Sequence, residues 1–174
     1  NIDKALVRDE YKLWIYSEYL LPSKRFLLTV HQLTKTQLST LDTLTDKHIK
    51  KWSGLPKSAT NALIHMKEGM NIMSISEMYM ECHTVSHART RLQGDPSVNN
   101  ALNCTISRES SLTTKKCTTK EAQASYDWAL HQNTLQGEIP EFTGERAATL
   151  QNNFNLKVRN TLKVHMQSTR DTAW

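Results

Sequence analysis

The chain has 174 residues, 22 Lys and Arg against 17 Asp and Glu, a formal net charge of +5 and 38% hydrophobic residues. That length permits one domain, or one domain with an appendage, and a real core. Mean hydropathy is -0.57, and no run approaches the roughly 18 apolar residues of a membrane span, so a membrane partner is not expected. Three cysteines, Cys82, Cys104 and Cys117, make no disulfide framework and point to a reducing, intracellular compartment, cytoplasm or nucleus. No signal-peptide pattern opens the chain, and its start at Asn1 suggests a segment of a longer protein. The last two dozen residues are basic and residues 101–150 slightly acidic. This balance is compatible with a polyanion partner without requiring one.

No alternating run of strand length stands out, so the expected class is all-α, an irregular bundle of about six to eight helices. Asp3 is placed to cap a first helix to about Leu21, with Pro22 stopping or kinking it. Helix resumes from Ser23 to Gln32 on Phe26, Leu27 and Val30. Thr34 and Gln37 form a capping-box pattern. Leu38, Leu41, Leu44, His48, Ile49 and Trp52 then predict an amphipathic helix. Gly54 and Pro56 end it, and a short helical turn follows before a glycine turn at Gly69. Ser74 and Glu77 open the next helix, to about Leu92, with an expected stripe of Ile75, Met78, Tyr79, Cys82, Val85 and Arg89. Asp95-Pro96 starts another, carried by Val98, Ala101, Leu102 and Ile106. Residues 107–119 are rich in Ser, Thr and Lys and read as a linker or mobile loop. Thr118 and Glu121 open a helix to about Gln132, with Ala122, Tyr126, Ala129 and Leu130 inward. Residues 133–145 are irregular, and two weaker helices, 145–152 and 156–168, close the chain. The resulting organisation is a bundle over 1–106, a linker over 107–119 and a helical appendage over 120–174.

Few residues suggest chemistry. His83 and His87 are four apart and project from one side of a helix, but zinc needs further ligands and no Glu stands beside His83 as a metalloprotease motif requires. We expect no metal and no cofactor, with Cys82 in the core and both histidines on the surface. Glu138, Glu141 and Glu145 read as a solvated acidic loop, and Asn103-Cys104-Thr105 as a chance glycosylation pattern. No phosphate cradle, nucleophile elbow or paired aspartates appear, so no catalytic residue is assigned. Lys47, Lys50 and Lys51 crowd the end of the central helix, with Lys57 past the turn. They complement the helix dipole or form a phosphate-contacting ridge.

The residues from about Lys12 to Val98 resemble the thumb of reverse transcriptases of non-LTR, LINE-like retroelements. The resemblance rests on Leu20-Leu21-Pro22, the Leu27–Leu33 segment, Leu41-Asp42, Ile49-Lys50-Lys51-Trp52, Gly54-Leu55-Pro56, Thr60-Asn61-Ala62, and His65 leading to Gly69 and Ile72. Where the family has Gly-Gly-Leu, Met70 and Asn71 stand in the second and third places. The resemblance implies a helical segment of an RNA-directed DNA polymerase, packed beside the palm of the same polyprotein. Such a segment grips an RNA–DNA or DNA duplex by its phosphate backbone, and residues after about Ala101 would be the connector that follows the thumb. Lys47, Lys50, Lys51, Lys57 and His65 are then the nucleic-acid-binding candidates. The polymerase aspartates belong to a palm and are not in this chain. The alternative is a helical structural or protein-interaction module with no nucleic-acid role, its aromatic first helix serving as the partner surface.

Overall fold

A computed structural model describes residues 2–111, 119–134 and 139–173. Among these, every regular element is helical and none is a strand, so the class is all-α. No described helix is long and apolar enough to cross a membrane. The chain forms two compact units, Asn1–Tyr79 with Arg170–Trp174, and Met80–Thr169. The division falls inside a helix and not at residues 107–119. Residues 107–111 continue the helix that begins at Pro96, and residues 112–118 lie outside the described part.

The first unit opens with a 3-10 turn, Ile2–Lys4, and α1, Asp9–Ile15. Asp3 does not open α1, which starts six residues later with Arg8 at its N-cap position; its carboxylate meets Lys51 and Trp52 at the end of a later helix. A π-helical turn, Tyr16–Leu20, leads into α2, Leu21–Ser23, and α3, Arg25–Val30. The sequence predicts a stop or kink at Pro22, yet helical backbone runs through it. The Leu21 N–H reaches back five residues to the Tyr16 carbonyl. This wider turn accommodates a proline that has no N–H for the ordinary ladder.

Helix α4, Lys35–Trp52, begins on the expected capping box: the Thr34 side chain accepts from the Gln37 N–H at 3.2 Å, and Gln37 Oε1 accepts from the Thr34 N–H at 2.9 Å. Its buried face differs from the expected stripe. Leu38, Asp46, Ile49 and Trp52 are buried, whereas Leu41 and Leu44 are exposed. Positions 38, 42, 45, 49 and 52 lie along one helical stripe, so Asp42 and Thr45 also belong to the inward side. Burying a carboxylate requires partners, and both aspartates have them.

Asp42 caps the next long helix from outside. One of its oxygens accepts from the backbone N–H of Ile75 at 2.8 Å and of Ser76 at 3.2 Å, and the other accepts from the Ser76 hydroxyl. Ser74 Oγ takes the Glu77 N–H at 3.1 Å, and Glu77 returns a bond to the Ser74 N–H at 2.9 Å. Every orphan donor of the first turn of α6, Ile75–Leu92, is thereby satisfied. Replacing Asp42 by Ala strands two of these N–H groups. The expected cost is about 2 kcal/mol, at the upper end for a lost cap, read as a lower midpoint in chemical denaturation.

Between α4 and α6 lie α5, Ala62–His65, and a tight turn. Gly69 is required there by proximity: a Cβ would sit 2.3 Å from the Leu63 carbonyl oxygen. The left-handed position falls at Asn71, with φ 54°, a residue that tolerates it. Ile64, Ile72, Met78 and Tyr79 complete a core with Tyr16, Leu21, Leu28, Leu38, Ile49 and Trp52. The Tyr79 hydroxyl accepts from the Leu33 N–H at 3.0 Å.

In the second unit, α6 buries Thr84, His87, Ala88 and Leu92. The expected stripe through Arg89 fails because the two halves of α6 serve different cores; Arg89 is exposed. Asp95 caps α7, Pro96–Ser111, accepting from the Ser97 N–H at 2.8 Å. Helix α8, Thr119–Asn133, buries the four residues expected: Ala122, Tyr126, Ala129 and Leu130. Thr118, its expected cap, lies outside the described residues. Helix α9 is continuous over Ala147–Ala173, where two helices were expected. Asn152, Asn153 and Asn155 are poor helix formers but not breakers, and Leu150, Phe154, Val158 and Leu162 keep an unbroken spacing of four. Val158 and Leu162 join Ala88, Leu92, Tyr126, Ala129 and Leu130 in one core, with Phe154 packed against it.

Candidate nucleic-acid interface

The end of α4 is built by its backbone. Gly54, with φ 68°, takes the left-handed position that only glycine adopts freely. The Leu55 N–H reaches the Lys50 carbonyl at 2.9 Å and the Gly54 N–H the Lys51 carbonyl at 3.3 Å. This is a Schellman motif, and it satisfies carbonyls that the helix end would leave bare. The lysines are therefore not needed to cap them, and their charges are available to other partners.

Lys47, Lys51 and Lys57 are exposed and Lys50 is half-buried. Lys47 and Lys51 are one turn apart on the same side of α4. Lys51 already has a partner: its Nζ lies 3.0 and 3.1 Å from the two carboxylate oxygens of Asp3. The Trp52 indole N–H donates to the same carboxylate at 3.0 Å, and His48 Nδ1 lies 3.7 Å from it. The Lys51 bond, followed by the Trp52 bond, holds Asp3 below the usual carboxylate value.

His65, the fifth candidate, is placed elsewhere. It is 1% exposed, so it cannot meet a phosphate on the surface. Its Nδ1 lies 2.7 Å from the Ile72 carbonyl oxygen and its Nε2 3.1 Å from Asp46 Oδ1. Both ring nitrogens face acceptors, which suits a ring protonated at both. Burial pushes the imidazole down, but the Asp46 bond, the Ile72 bond and the charges of Asp46 and Glu77 outweigh it and leave it raised. Asp46 Oδ2 is satisfied by the Asn61 side-chain amide at 2.6 Å. The Arg170 guanidinium donates to the His65 carbonyl at 3.1 Å and lies 3.5 Å from Glu77. His65 thus belongs to a buried ionic core that ties α4, α5 and the start of α6 together.

The histidine pair of α6 is also rearranged. His87 is buried and not on the surface. Its Nε2 meets Gln123 Oε1 at 2.6 Å, and its ring stands edge-on to Tyr126. The Gln123 amide donates to Asp127, and its oxygen also accepts from Arg91 at 3.0 Å. That oxygen is an acceptor, so His87 donates from Nε2. Burial chiefly, with the Arg91 charge, lowers its affinity for a proton. Among the described residues, no group of three His, Cys, Asp or Glu is arranged to hold a metal ion. Asn103 accepts from Arg91 at 2.6 Å.

Reading the sequence alone missed Asp3, Asp46, His48 and Trp52 as parts of polar constellations. The signal for Asp46 was present, since a carboxylate on the Leu38–Ile49–Trp52 face needs a buried partner. Asp3 left no comparable signal, because it meets residues 48 and 49 positions along the chain. Comparison with family models, curated proteins and solved structures finds no match for this chain.

Proposed function

We propose that the first unit is a non-catalytic, thumb-like segment of a retroelement reverse transcriptase that grips a template–primer duplex through its phosphates. The observation that carries the reading is the end of α4. A backbone-capped helix end leaves Lys47, Lys50 and Lys51 without a capping task, and a turn of defined geometry leads to an exposed Lys57. Lysines on a rigid element suit backbone gripping, which needs charge and position but no base-reading groups. In this reading the compartment is the cytoplasm or nucleus, where such a duplex is made.

Binding of an RNA–DNA hybrid is expected to weaken steeply with salt. Changing Lys47, Lys50 and Lys57 together to Ala lowers the slope of log affinity against log salt by roughly 3, about 0.9 for each phosphate that is no longer neutralised. Fluorescence anisotropy with a labelled hybrid measures this. Absent binding at low salt, or a slope unchanged by the triple substitution, refutes the reading.

A second reading is favoured by another observation. Tyr11, Trp14, Tyr19, Phe26, Leu27 and Val30 on α1 to α3 are all exposed, Phe26 by 74%. The Trp14 and Tyr19 rings pack edge to face, 5.1 Å apart. Exposed apolar side chains in such number mark a protein contact surface. This surface serves a neighbouring palm in the first reading, and an unrelated partner in a module with no nucleic-acid role. In the latter case the triple lysine substitution leaves partner binding intact.

A further inference from the structure

Three side chains in the last turns of α4 converge on one point. Lys51 Nζ, the Trp52 indole N–H and His48 Nδ1 lie 3.0, 3.0 and 3.7 Å from Asp3 Oδ1. An ammonium and an indole N–H donate only, so the group they bind must be rich in acceptor oxygens. The negative end of the α4 dipole disfavours an anion here, so the attraction is supplied by these side chains. The site is open on one side: the side chains of Lys51 and His48 are 65% and 49% exposed. Trp52 is buried, and it fixes the direction of its N–H. Asp3 arrives on a 3-10 turn of three residues.

We propose that His48, Lys51 and Trp52 form a binding site for a phosphate group, and that the Asp3 carboxylate occupies it as a built-in competitor. Two non-bridging phosphate oxygens reproduce the two carboxylate oxygens that Lys51 spans, and one of them meets the indole N–H. The ligand is a free phosphate or a phosphodiester of a nucleic-acid backbone. The second source rests on the duplex-gripping reading above; the site itself rests on this geometry.

The test uses the full chain, with the Trp52 indole N–H resonance assigned by its absence in Trp52→Phe. Inorganic phosphate is titrated at constant ionic strength against wild type, Asp3→Ala and Asp3→Asn, with circular dichroism to confirm helical content. Hybrid affinity is measured in parallel. Vacating the site is expected to give a saturable, phosphate-specific shift of the Trp52 resonance at lower concentration than in wild type. Hybrid binding tightens roughly fivefold, the worth of one exposed ion pair. Glu68→Gln, an equal charge change elsewhere, leaves both unchanged, and Asp3→Ala with Lys51→Ala loses the gain. If phosphate moves no Trp52 resonance in either Asp3 variant and hybrid affinity stays at the wild-type value, the proposal is overturned. If the resonance responds but no variant binds hybrid at low salt, the phosphate site stands and the duplex-gripping reading falls.

Discussion

Replacing Asp46 by Ala is expected to destabilise the first unit by about 3–5 kcal/mol, the cost of breaking a buried ion pair from one side. His65 would keep its Ile72 bond but face an empty site at Nε2, and the Asn61 amide would lose its 2.6 Å acceptor. Asp46→Asn separates charge from hydrogen bonding. There a neutral His65 donates from Nδ1 to Ile72 and accepts at Nε2 from the new amide, so much of the stability survives. What disappears is the loss of stability on the alkaline side. The proton affinity of His65 is raised above its ordinary 6.5 on folding. Its contribution is therefore fully present below pH 6.5 and is lost as pH rises through the higher folded value. His87, lowered from 6.5, has the opposite sign: its contribution is present above 6.5 and is lost as pH falls below it. Hydrogen exchange followed residue by residue should show the α4–α5 region loosening on the alkaline side and the α6–α8 region on the acid side. An alkaline limb that persists unchanged in Asp46→Asn would sink the assignment to this pair.

The second large effect is expected in the other unit. Leu162 is 1% exposed and sits with Val158 against Ala88, Ala129 and Leu130. Leu162→Ala removes three buried heavy atoms and leaves a cavity, costing about 2–5 kcal/mol. Leu156, also on α9, is 53% exposed, and its change to Ala should stay within about 0.5 kcal/mol. Guanidinium denaturation of both variants measures the contrast. Similar losses at the two positions would mean that the face of α9 has been assigned wrongly.

Much of the helical pattern was legible because it is written in short-range chemistry. Thr34 and Gln37, Ser74 and Glu77, and Asp95 before Pro96 each satisfy backbone donors within three residues. Gly54 announces its own left-handed turn. The inward face of α8 follows from spacing alone. The errors lie where neighbours in space overrule neighbours in sequence. Pro22 is absorbed by a π turn, the asparagines of α9 are carried through by core packing, and the two halves of α6 belong to separate units.

The positions of the lysines around the end of α4 also follow from residue order, with Lys50 and Lys51 in its last turn and Lys57 past the glycine–proline stop. The chain by itself thus determined the helical class, most helix starts and the basic end of α4. Only the tertiary structure decided that His65 is interior, that Asp42 and Asp46 are inward, and that Asp3 lies on Lys51. The physical reason is range. Caps and periodicity act within one or two turns, while a buried charge is placed by whatever partner the fold brings to it, 19 residues away for Asp46 and His65 and 48 for Asp3 and Lys51.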